Sequence, residues 1–468
     1  MSAPLLQSAD ARPHTNPDHV TPYDRFAWSD EEAERLLASG LERQELEMFF
    51  GPAEYRDLVR LARAAQRAQL RADACRAIIV PGIMGSLLGL PRRAPLPRDV
   101  LWIDPIDIGS GRLSELRLPG AGPVEPCGVV LYSYLRLKLH LRAAGHDPVF
   151  HPFDWRRGVD ELGRGLAARL AAEPSRRIAL VGHSLGGLVC RAALPLAGAE
   201  RVERVILLGT PNAGTFAPVQ ALRGTYAVVR KIARLDARHG AAGLAEIFST
   251  FPSLYHMLPS PAASDALDLT DPEAWPRSGP RPAPELLESA RRIGGKLAPA
   301  DERFAVVVGV GRETVTAMRR RRDEFVYTVT RRGDGTVPAD RARLDGARHY
   351  FRLDVAHSDL TRDPIVAGAV IDLLNRGDTR RLPSRWRSAS RAEARVGDRD
   401  LERLPADKVD WTRLTPEERR SFLQNLNEPP KLPMRVPARM RRLRGNRGSA
   451  PPGARRRSGA GRHRAPPP

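Results

Sequence analysis

The pentapeptide at residues 182–186, GHSLG, contains Ser184, the residue with the clearest chemical potential in the chain. An apolar run that ends at Val181 precedes it, and an apolar helical pattern begins at Leu185. A serine between glycines at the junction of a strand and a helix is typical of a nucleophile elbow, because the glycines let the backbone turn sharply and expose the hydroxyl. This arrangement predicts acyl transfer through a serine ester.

A serine nucleophile needs a base within hydrogen-bond reach and an acid that orients that base. In the fold that carries this elbow, the acid and then the histidine follow the serine, each on a loop after a strand. Asp334 follows the strand pattern of residues 325–329, and His357 follows that of residues 350–353. The nearby alternatives are Asp340, Asp345 and His349. Joint order and placement favour Asp334 as the acid and His357 as the base.

The tetrahedral intermediate of acyl transfer needs backbone amides that point at its oxyanion. One predicted donor is the amide of Leu185, at the start of the helix after the serine. The other is expected on a loop after an earlier strand, and the glycine-containing residues 80–86 fit this position. We expect the Ile83 amide to be this donor. Ser86 lies in the same loop but lacks the setting of a nucleophile.

Short apolar runs that alternate with helical patterns must position these groups. Strands are predicted at residues 76–80, 178–181, 205–208, 305–308, 325–329 and 350–353, and helices at 158–172 and 185–196. Such alternation predicts an α/β protein with a mainly parallel central sheet flanked by helices. With the elbow, it predicts the α/β-hydrolase fold.

Four regions are predicted along the chain. Residues 1–72 form a helical N-terminal preface, and residues 76–375 form the catalytic domain. A proline-rich cap insertion is expected at about 215–299, with a helical stretch at 226–248. Residues 376–430 form an extension with a short helix, and residues 431–468 form a disordered Arg/Pro/Gly-rich tail.

Charge is concentrated at the C-terminus. Residues 431–468 contain twelve Lys or Arg residues and no acid, and so carry +12 of the formal net charge of +20. We expect this tail to contact an anionic membrane peripherally, and a nucleic-acid partner is not expected. No apolar run approaches the ~18 residues of a membrane-spanning helix. The three cysteines are too few for a disulfide framework, and the N-terminus lacks a signal-peptide pattern, so the sequence predicts a cytoplasmic protein.

Several further motifs occur in a fixed order. They are residues 78–86, 101–104, 153–156, 208–215, 251–259, 333–338 and 356–357. With the elbow, this series resembles the lecithin:cholesterol acyltransferase family, including its lysosomal phospholipase and phospholipid:diacylglycerol acyltransferase relatives, over about residues 76–375.

The resemblance implies Ser184, Asp334 and His357 as a catalytic triad, with Ile83 and Leu185 as oxyanion donors. It also implies a membrane-facing region near Trp102, with Trp102 and Met84 in substrate binding. Alternatively, Trp102 and residues 154–156 serve as core packing and a structural ion pair. Secreted relatives have a disulfide near Trp102, but here Cys127 is the only cysteine in that stretch.

The leading expectation is a serine-dependent O-acyltransferase that acts on lipid esters through an acyl-enzyme. A lipase or phospholipase that transfers the acyl group to water uses the same residues, and a lipid-binding scaffold is the alternative without catalysis. No metal or organic cofactor is expected, because this chemistry needs none. The sequence does not predict the acceptor or the oligomeric state.

Overall fold

A computed structural model describes residues 20–25, 27–120, 122–175, 177–260, 267–388, 392–404, 407–424 and 426. The predictions for the tail at residues 431–468 therefore fall outside the described residues. The strands are β1 (Arg76–Val80), β2 (Ser86–Leu90), β3 (Asp99–Trp102), β4 (Glu125–Val129), β5 (Asp147–Phe150), β6 (Ile178–His183), β7 (Val202–Leu208), β8 (Phe304–Val310), β9 (Thr314–Arg321), β10 (Glu324–Thr330), β11 (Arg348–Leu353) and β12 (Ala394–Gly397).

The α-helices follow the same chain order. They are α1 (Pro22–Arg25), α2 (Asp30–Ser39), α3 (Arg43–Phe50), α4 (Pro52–Arg67), α5 (Pro105–Gly109), α6 (Leu131–Ala143), α7 (Val159–Ala172), α8 (Leu185–Ala193), α9 (Ala217–Leu222), α10 (Ala227–Leu235), α11 (Ala241–Phe248), α12 (Pro252–Tyr255), α13 (Pro284–Ile293), α14 (Ala339–Ala342), α15 (Pro364–Arg376), α16 (Asp398–Glu402) and α17 (Pro416–Gln424). The stretch predicted as helical at 226–248 is two helices, α10 and α11, separated at residues 236–240.

A six-stranded sheet forms the centre of the fold, with the strand order β11-β8-β7-β6-β1-β5. All its neighbouring strands are parallel. Its strands β6 and β8 are buried along their whole length, as expected for a parallel sheet covered on both faces. The predicted α/β fold with a mainly parallel sheet is confirmed.

The order in which strands are added to this sheet reverses between β1 and β6. Strand β5 pairs with one edge of β1, and after α7 the chain returns to form β6 on the other edge. The carboxyl ends of β1 and β6 therefore lie side by side at a topological switch point, where open α/β sheets bind ligands.

The strand predicted at residues 325–329 is part of a different sheet. It is β10, which pairs antiparallel with β9 and β12 in a separate three-stranded sheet. Its buried and half-buried residues alternate, as in a strand that packs on one face only. A second small sheet, β3-β2-β4, follows β1 and is also antiparallel.

The N-terminal helices pack onto the same core as the central sheet. Leu37 of α2 and Leu58 of α4 belong to one buried cluster with Leu135 of α6 and Ile79 of β1. The side chain of Lys138 in α6 is fully buried and forms ion pairs with Asp30 and Glu34 of α2. The division of the chain into the domains given above stays a prediction.

The segment between β7 and β8, residues 209–303, contains helices α9 to α13 and is called the β7–β8 segment below. The C-terminal extension binds its helix α10 and the turn that follows this helix. The Lys408 ammonium donates hydrogen bonds to the carbonyls of Ala233 (2.7 Å) and His239 (3.0 Å), and the Val409 amide donates to the Arg234 carbonyl (2.8 Å). Within the described residues, no helix is long and apolar enough to cross a membrane.

Candidate active site

Ser184 sits on a sharp turn between β6, which ends at His183, and α8, which begins at Leu185. Its backbone has φ 53° and ψ −125°, a conformation that L-residues rarely adopt. The turn also requires glycine nearby, because a Cβ at Gly186 would lie 2.2 Å from the Val80 carbonyl oxygen. The geometry is that of a nucleophile elbow.

The structure brings Ser184, His357 and Asp334 into one hydrogen-bonded line. Nε2 of His357 is 2.9 Å from Oγ of Ser184, and Nδ1 of His357 is 2.7 Å from Oδ2 of Asp334. Because a carboxylate accepts, Nδ1 carries the imidazole proton and Nε2 presents a lone pair to the serine hydroxyl. This arrangement allows His357 to take the proton of Ser184.

Asp334 is held on its other side by backbone amides. Its Oδ1 accepts hydrogen bonds from the amides of Thr336 (2.9 Å) and Val337 (2.7 Å). The carboxylate is almost completely buried, and its backbone carbonyl accepts a hydrogen bond from the His357 amide at 2.9 Å. Side chain and backbone thus both connect Asp334 to the histidine.

Asp334 reaches this position although it follows β10, which is not in the central sheet. The β9–β10 hairpin leaves the end of β8 and returns to it, where the Arg312 amide donates to the Gly333 carbonyl at 2.9 Å. Asp334 then packs against Gly309 of β8, where a Cβ would lie 2.6 Å from the Cβ of Asp334. The acid therefore sits at the carboxyl end of a central strand, with the hairpin as an insertion before it.

The turn at residues 82–85 lies beside the serine. The Gly85 amide donates to the Gly82 carbonyl at 3.0 Å, and Met84 takes a positive φ of 61°. A Cβ at Gly82 would lie 2.9 Å from the Cβ of Ser184, so the turn can approach the serine only with glycine there. Among the described residues, no hydrogen-bond partner occupies the Ile83 amide. Its assignment and that of the Leu185 amide as oxyanion donors stay predictions.

Trp102 does not face the surface, contrary to the expected membrane-facing region. Its side chain is buried, its Nε1 donates to the Met84 carbonyl at 2.9 Å, and its ring packs edge-on against Trp155. It is not among the residues that line the pocket next to Ser184, whereas Met84 is. The physical reason is that the indole N–H finds its partner inside the protein, below the 82–85 turn.

Residues 154–156 form the structural ion pair that was the alternative to a role in binding. The Arg156 guanidinium makes two bonds of 2.8 Å to the Asp154 carboxylate and donates to the Leu116 carbonyl at 3.0 Å. Ser86 is also structural, since its buried hydroxyl accepts from the Phe153 amide at 3.1 Å.

The three alternative triad partners, Asp340, Asp345 and His349, do not form part of the hydrogen-bonded line at Ser184. Asp340 and Asp345 are exposed. His349 accepts a hydrogen bond from the Leu344 amide at 3.1 Å through Nε2, and burial lowers its pKa. The structure links Ser184 to none of the three.

A pocket of about 960 Å³, including its open mouth, begins at Ser184 and His357. One part of its wall comes from apolar residues of the β7–β8 segment, namely Val228, Val229, Phe248, Phe251, Leu254 and Met257. None of the described residues that line it is Asp, Glu, Lys or Arg. Such a wall suits a neutral hydrocarbon chain. Sequence reasoning did not assign these residues to a pocket, although Phe251, Leu254 and Met257 lie within the motif at residues 251–259.

Comparison with known proteins gives a partial family match. Residues 168–248, which contain the elbow, match the PGAP1-like alpha/beta domain. A comparison with curated proteins found no match. Together with the parallel sheet, the elbow assigns this chain to the α/β-hydrolase fold.

Solved structures with a similar arrangement share little sequence with it. The chain is similar to the mature form of the lipase BlEst2 of Bacillus licheniformis, with 15% identity over 65% of this chain and 94% of that chain, at a TM-score of 0.34. The chain is also similar to the Tle4-Tli4 complex, with 15% identity over 66% of this chain and 100% of that chain, at a TM-score of 0.41. It is similar to a putative aryl esterase of Burkholderia cenocepacia, with 12% identity over 66% of this chain and 92% of that chain, at a TM-score of 0.30.

Proposed function

We propose that this protein transfers acyl groups from lipid esters through a covalent intermediate on Ser184. The observation that carries the proposal is the line of contacts from Asp334 through His357 to Ser184, at 2.7 and 2.9 Å, at the base of an apolar pocket. The α/β-hydrolase fold suits ester hydrolysis and acyl transfer alike, and both use these three groups.

The reaction proceeds in two half-reactions. Ser184 Oγ attacks the ester carbonyl while His357 Nε2 takes the hydroxyl proton, and the amides of Ile83 and Leu185 stabilise the oxyanion. The intermediate collapses as His357 returns the proton to the leaving alcohol, which leaves the acyl group on Ser184. An acceptor hydroxyl then gives its proton to His357 and attacks the acyl carbonyl. His357 returns that proton to Ser184 Oγ as the bond to the acyl group breaks, which releases the new ester and restores the serine.

Lipid esters are the proposed substrate class because of the pocket wall. A fatty acyl chain that enters it exchanges water for the side chains of Val229, Phe248 and Leu254, at about 0.8 kcal/mol for each buried CH₂. The absence of Asp, Glu, Lys and Arg among the described lining residues favours a neutral chain over a charged group.

We propose an alcohol as the acceptor, which makes the protein an O-acyltransferase. The motif series that resembles the lecithin:cholesterol acyltransferase family supports this choice. Water is the second candidate, because His357 activates either hydroxyl from the same position.

Two measurements test the proposal. Mass spectrometry after treatment with a fluorophosphonate is expected to find the adduct on Ser184, and no adduct in Ser184→Ala. Labelled phospholipid is then incubated with and without a long-chain alcohol, and a labelled alkyl ester is expected only with the alcohol. Free fatty acid alone in both tubes, with no alkyl ester, would assign the protein as a lipase, and an unreactive Ser184 would reject the enzyme function.

We also propose that residues 431–468 hold the enzyme near its substrate at an anionic membrane. Each basic residue close to such a surface contributes on the order of 1 kcal/mol, and this tail has twelve and no acid. Deletion of residues 431–468 is expected to weaken binding to phosphatidylserine vesicles in low salt without changing fluorophosphonate labelling. Equal vesicle binding by both proteins would reject this role.

A further inference from the structure

We propose that Tyr134 and His183 are positioning residues, which join the 82–85 turn to the backbone of His357 through one buried chain of hydrogen bonds. The inference rests on the proposed function and deepens it, because these are the two parts of the site that must act together on the substrate. Both side chains line the pocket, but their hydrogen bonds go to Gly82, to each other and to the His357 carbonyl, so their proposed role is to hold these groups and not to react.

The chain of bonds begins at the turn and ends at the histidine. The Gly82 amide donates to the Tyr134 hydroxyl at 2.8 Å. The Tyr134 hydroxyl lies 3.0 Å from Nδ1 of His183, and Nε2 of His183 lies 3.0 Å from the carbonyl oxygen of His357. Tyr134 and His183 are both buried, so water does not compete freely for these bonds.

The direction of every bond in the chain follows from its two ends. A carbonyl only accepts, so Nε2 of His183 carries a proton and donates to His357. Nδ1 of a neutral His183 is then an acceptor, and the Tyr134 hydroxyl donates to it. The tyrosine oxygen is left to accept from the Gly82 amide. Each group thus fills one role, and none can reverse without losing a bond.

The protonation states of both residues agree with this assignment. Burial, followed by the charge of His357, lowers the pKa of His183 to about 3, so the ring is neutral at neutral pH. Burial raises the pKa of the Tyr134 hydroxyl, which keeps its proton. The rings of His183 and His357 lie 5.0 Å apart, and a neutral His183 does not oppose the positive charge that His357 gains when it takes the serine proton.

The chain acts on both sides of the substrate carbonyl. On one side it fixes Gly82, and with it the direction of the adjacent Ile83 amide. On the other side it fixes the carbonyl of His357, whose amide is already held by the Asp334 carbonyl at 2.9 Å. An amide or imidazole displaced by a fraction of an ångström weakens the transition state more than substrate binding, so the loss should appear in kcat.

The first test is Tyr134→Phe, which removes the hydroxyl and leaves the ring. With p-nitrophenyl octanoate we expect kcat, and the rate constant of phosphonylation by a fluorophosphonate, to fall about 10- to 100-fold, with KM changed less than about threefold. The matched control is Tyr132→Phe on the same helix. The hydroxyl of Tyr132 donates to the Leu423 carbonyl, and its side chain does not line the pocket, so its kcat should stay within twofold.

The second test separates hydrogen bonding from packing at His183. His183→Gln keeps a neutral acceptor and donor, and should retain kcat within about fivefold of wild type. His183→Leu removes both and should lose as much as Tyr134→Phe. Melting temperatures are measured for all variants, and the ranking of kcat should persist at a temperature where each is fully folded.

Three results would overturn the proposal. The first is a Tyr134→Phe enzyme with the wild-type phosphonylation rate. The second is an equal fall of kcat in His183→Gln and His183→Leu, and the third is a rise of KM with kcat unchanged. These outcomes differ from failure of the proposed function, in which wild-type Ser184 would itself not react with the fluorophosphonate.

Discussion

The side chain of Asp334 packs directly against Gly309 through its Cβ, although 24 residues of chain separate them. A Cβ at Gly309 would lie 2.6 Å from the Cβ of Asp334, closer than nonbonded carbons can approach. The contact exists because the β9–β10 hairpin brings the chain back to the carboxyl end of β8. Because glycine has no Cβ, position 309 leaves the space that the Asp334 side chain occupies.

Gly309→Ala should displace Asp334 and lower kcat about 10- to 100-fold, because the base loses its aligned partner. The readout is kcat on p-nitrophenyl octanoate beside the thermal unfolding midpoint. Gly165→Ala on α7 is the control, since a Cβ there would meet nothing within 4 Å. That variant should keep full activity and gain about 0.5–1 kcal/mol in stability. Full activity in Gly309→Ala would contradict the assigned contact.

Asp334→Asn should lower kcat/KM about 10³- to 10⁴-fold while the fold is retained, because an amide no longer selects the Nδ1 proton of His357. The exposed neighbour Asp340 provides the control, and Asp340→Asn should stay within twofold of wild type. Steady-state kinetics and circular dichroism check both variants. Equal activity of Asp334→Asn and Asp340→Asn would show that Asp334 has no catalytic role.

Val229→Phe should shorten the acyl chain that the pocket accepts, because the larger ring fills space at the pocket wall. The ratio of kcat/KM for p-nitrophenyl palmitate to that for the butyrate should fall about tenfold, which corresponds to roughly two CH₂ groups excluded. Leu196→Phe, at a position 37% exposed, should leave the ratio unchanged. An unchanged ratio in Val229→Phe would place the acyl chain elsewhere.

Asp398→Ala should destabilise the protein by about 3–5 kcal/mol, because it leaves the buried Arg223 guanidinium without its carboxylate. Asp398 is 3.2 Å from Arg223 and accepts from the Tyr327 hydroxyl at 2.7 Å, and all three side chains are buried. Urea unfolding measures the loss. Glu273→Ala, which removes an exposed acid, should cost about 0.5 kcal/mol or less. A comparable cost for both would contradict the buried network.

Asp104→Asn should change how stability depends on pH. Burial, then the neighbouring Asp107, raises the pKa of Asp104 to about 7. The folded state therefore binds a proton that the unfolded state has lost, and the free energy of unfolding falls as pH rises from about 4 to about 7, by at most roughly 1.4 kcal/mol per unit. The asparagine keeps the oxygen that accepts from the Ile106 amide at 2.7 Å.

Denaturant unfolding at pH 5, 6, 7 and 8 checks this expectation. The loss of stability towards pH 8 should be smaller in Asp104→Asn than in wild type. Part of the slope should remain between about pH 4 and 6, because burial also raises the pKa of Asp107 to about 6. Parallel curves for the two proteins would show that Asp104 is not the group responsible.

The sequence predicted the central parallel strands because β1, β6, β7 and β8 are nearly continuous apolar runs between breaks. It assigned residues 325–329 to the wrong sheet, since an alternating pattern identifies a strand but not its partner. It did not predict β5, whose four residues include a proline and an acid. Local pattern therefore determined the elements better than their pairing.

At the candidate site, the order of Ser184, Asp334 and His357, together with the place of the last two on loops after strands, selected the residues that the structure brings together. The burial of Trp102 was not predictable, because a tryptophan near a loop suits a membrane surface and a core equally. Tyr134 was also missed. Its position depends on how α6 packs beside the 82–85 turn, which is a tertiary relationship. The histidine next to the nucleophile was a sequence signal that could have prompted a search for its hydrogen-bond partner.

The hydrogen bonds from Lys408 to α10 have a consequence for synthesis on the ribosome. Every candidate catalytic group has been translated by residue 357, yet the residue that fastens one wall of the pocket is added some fifty positions later. A nascent chain can therefore align its serine, histidine and aspartate before the apolar wall of the pocket is secured. The order of synthesis thus separates formation of the candidate triad from completion of the apolar pocket wall.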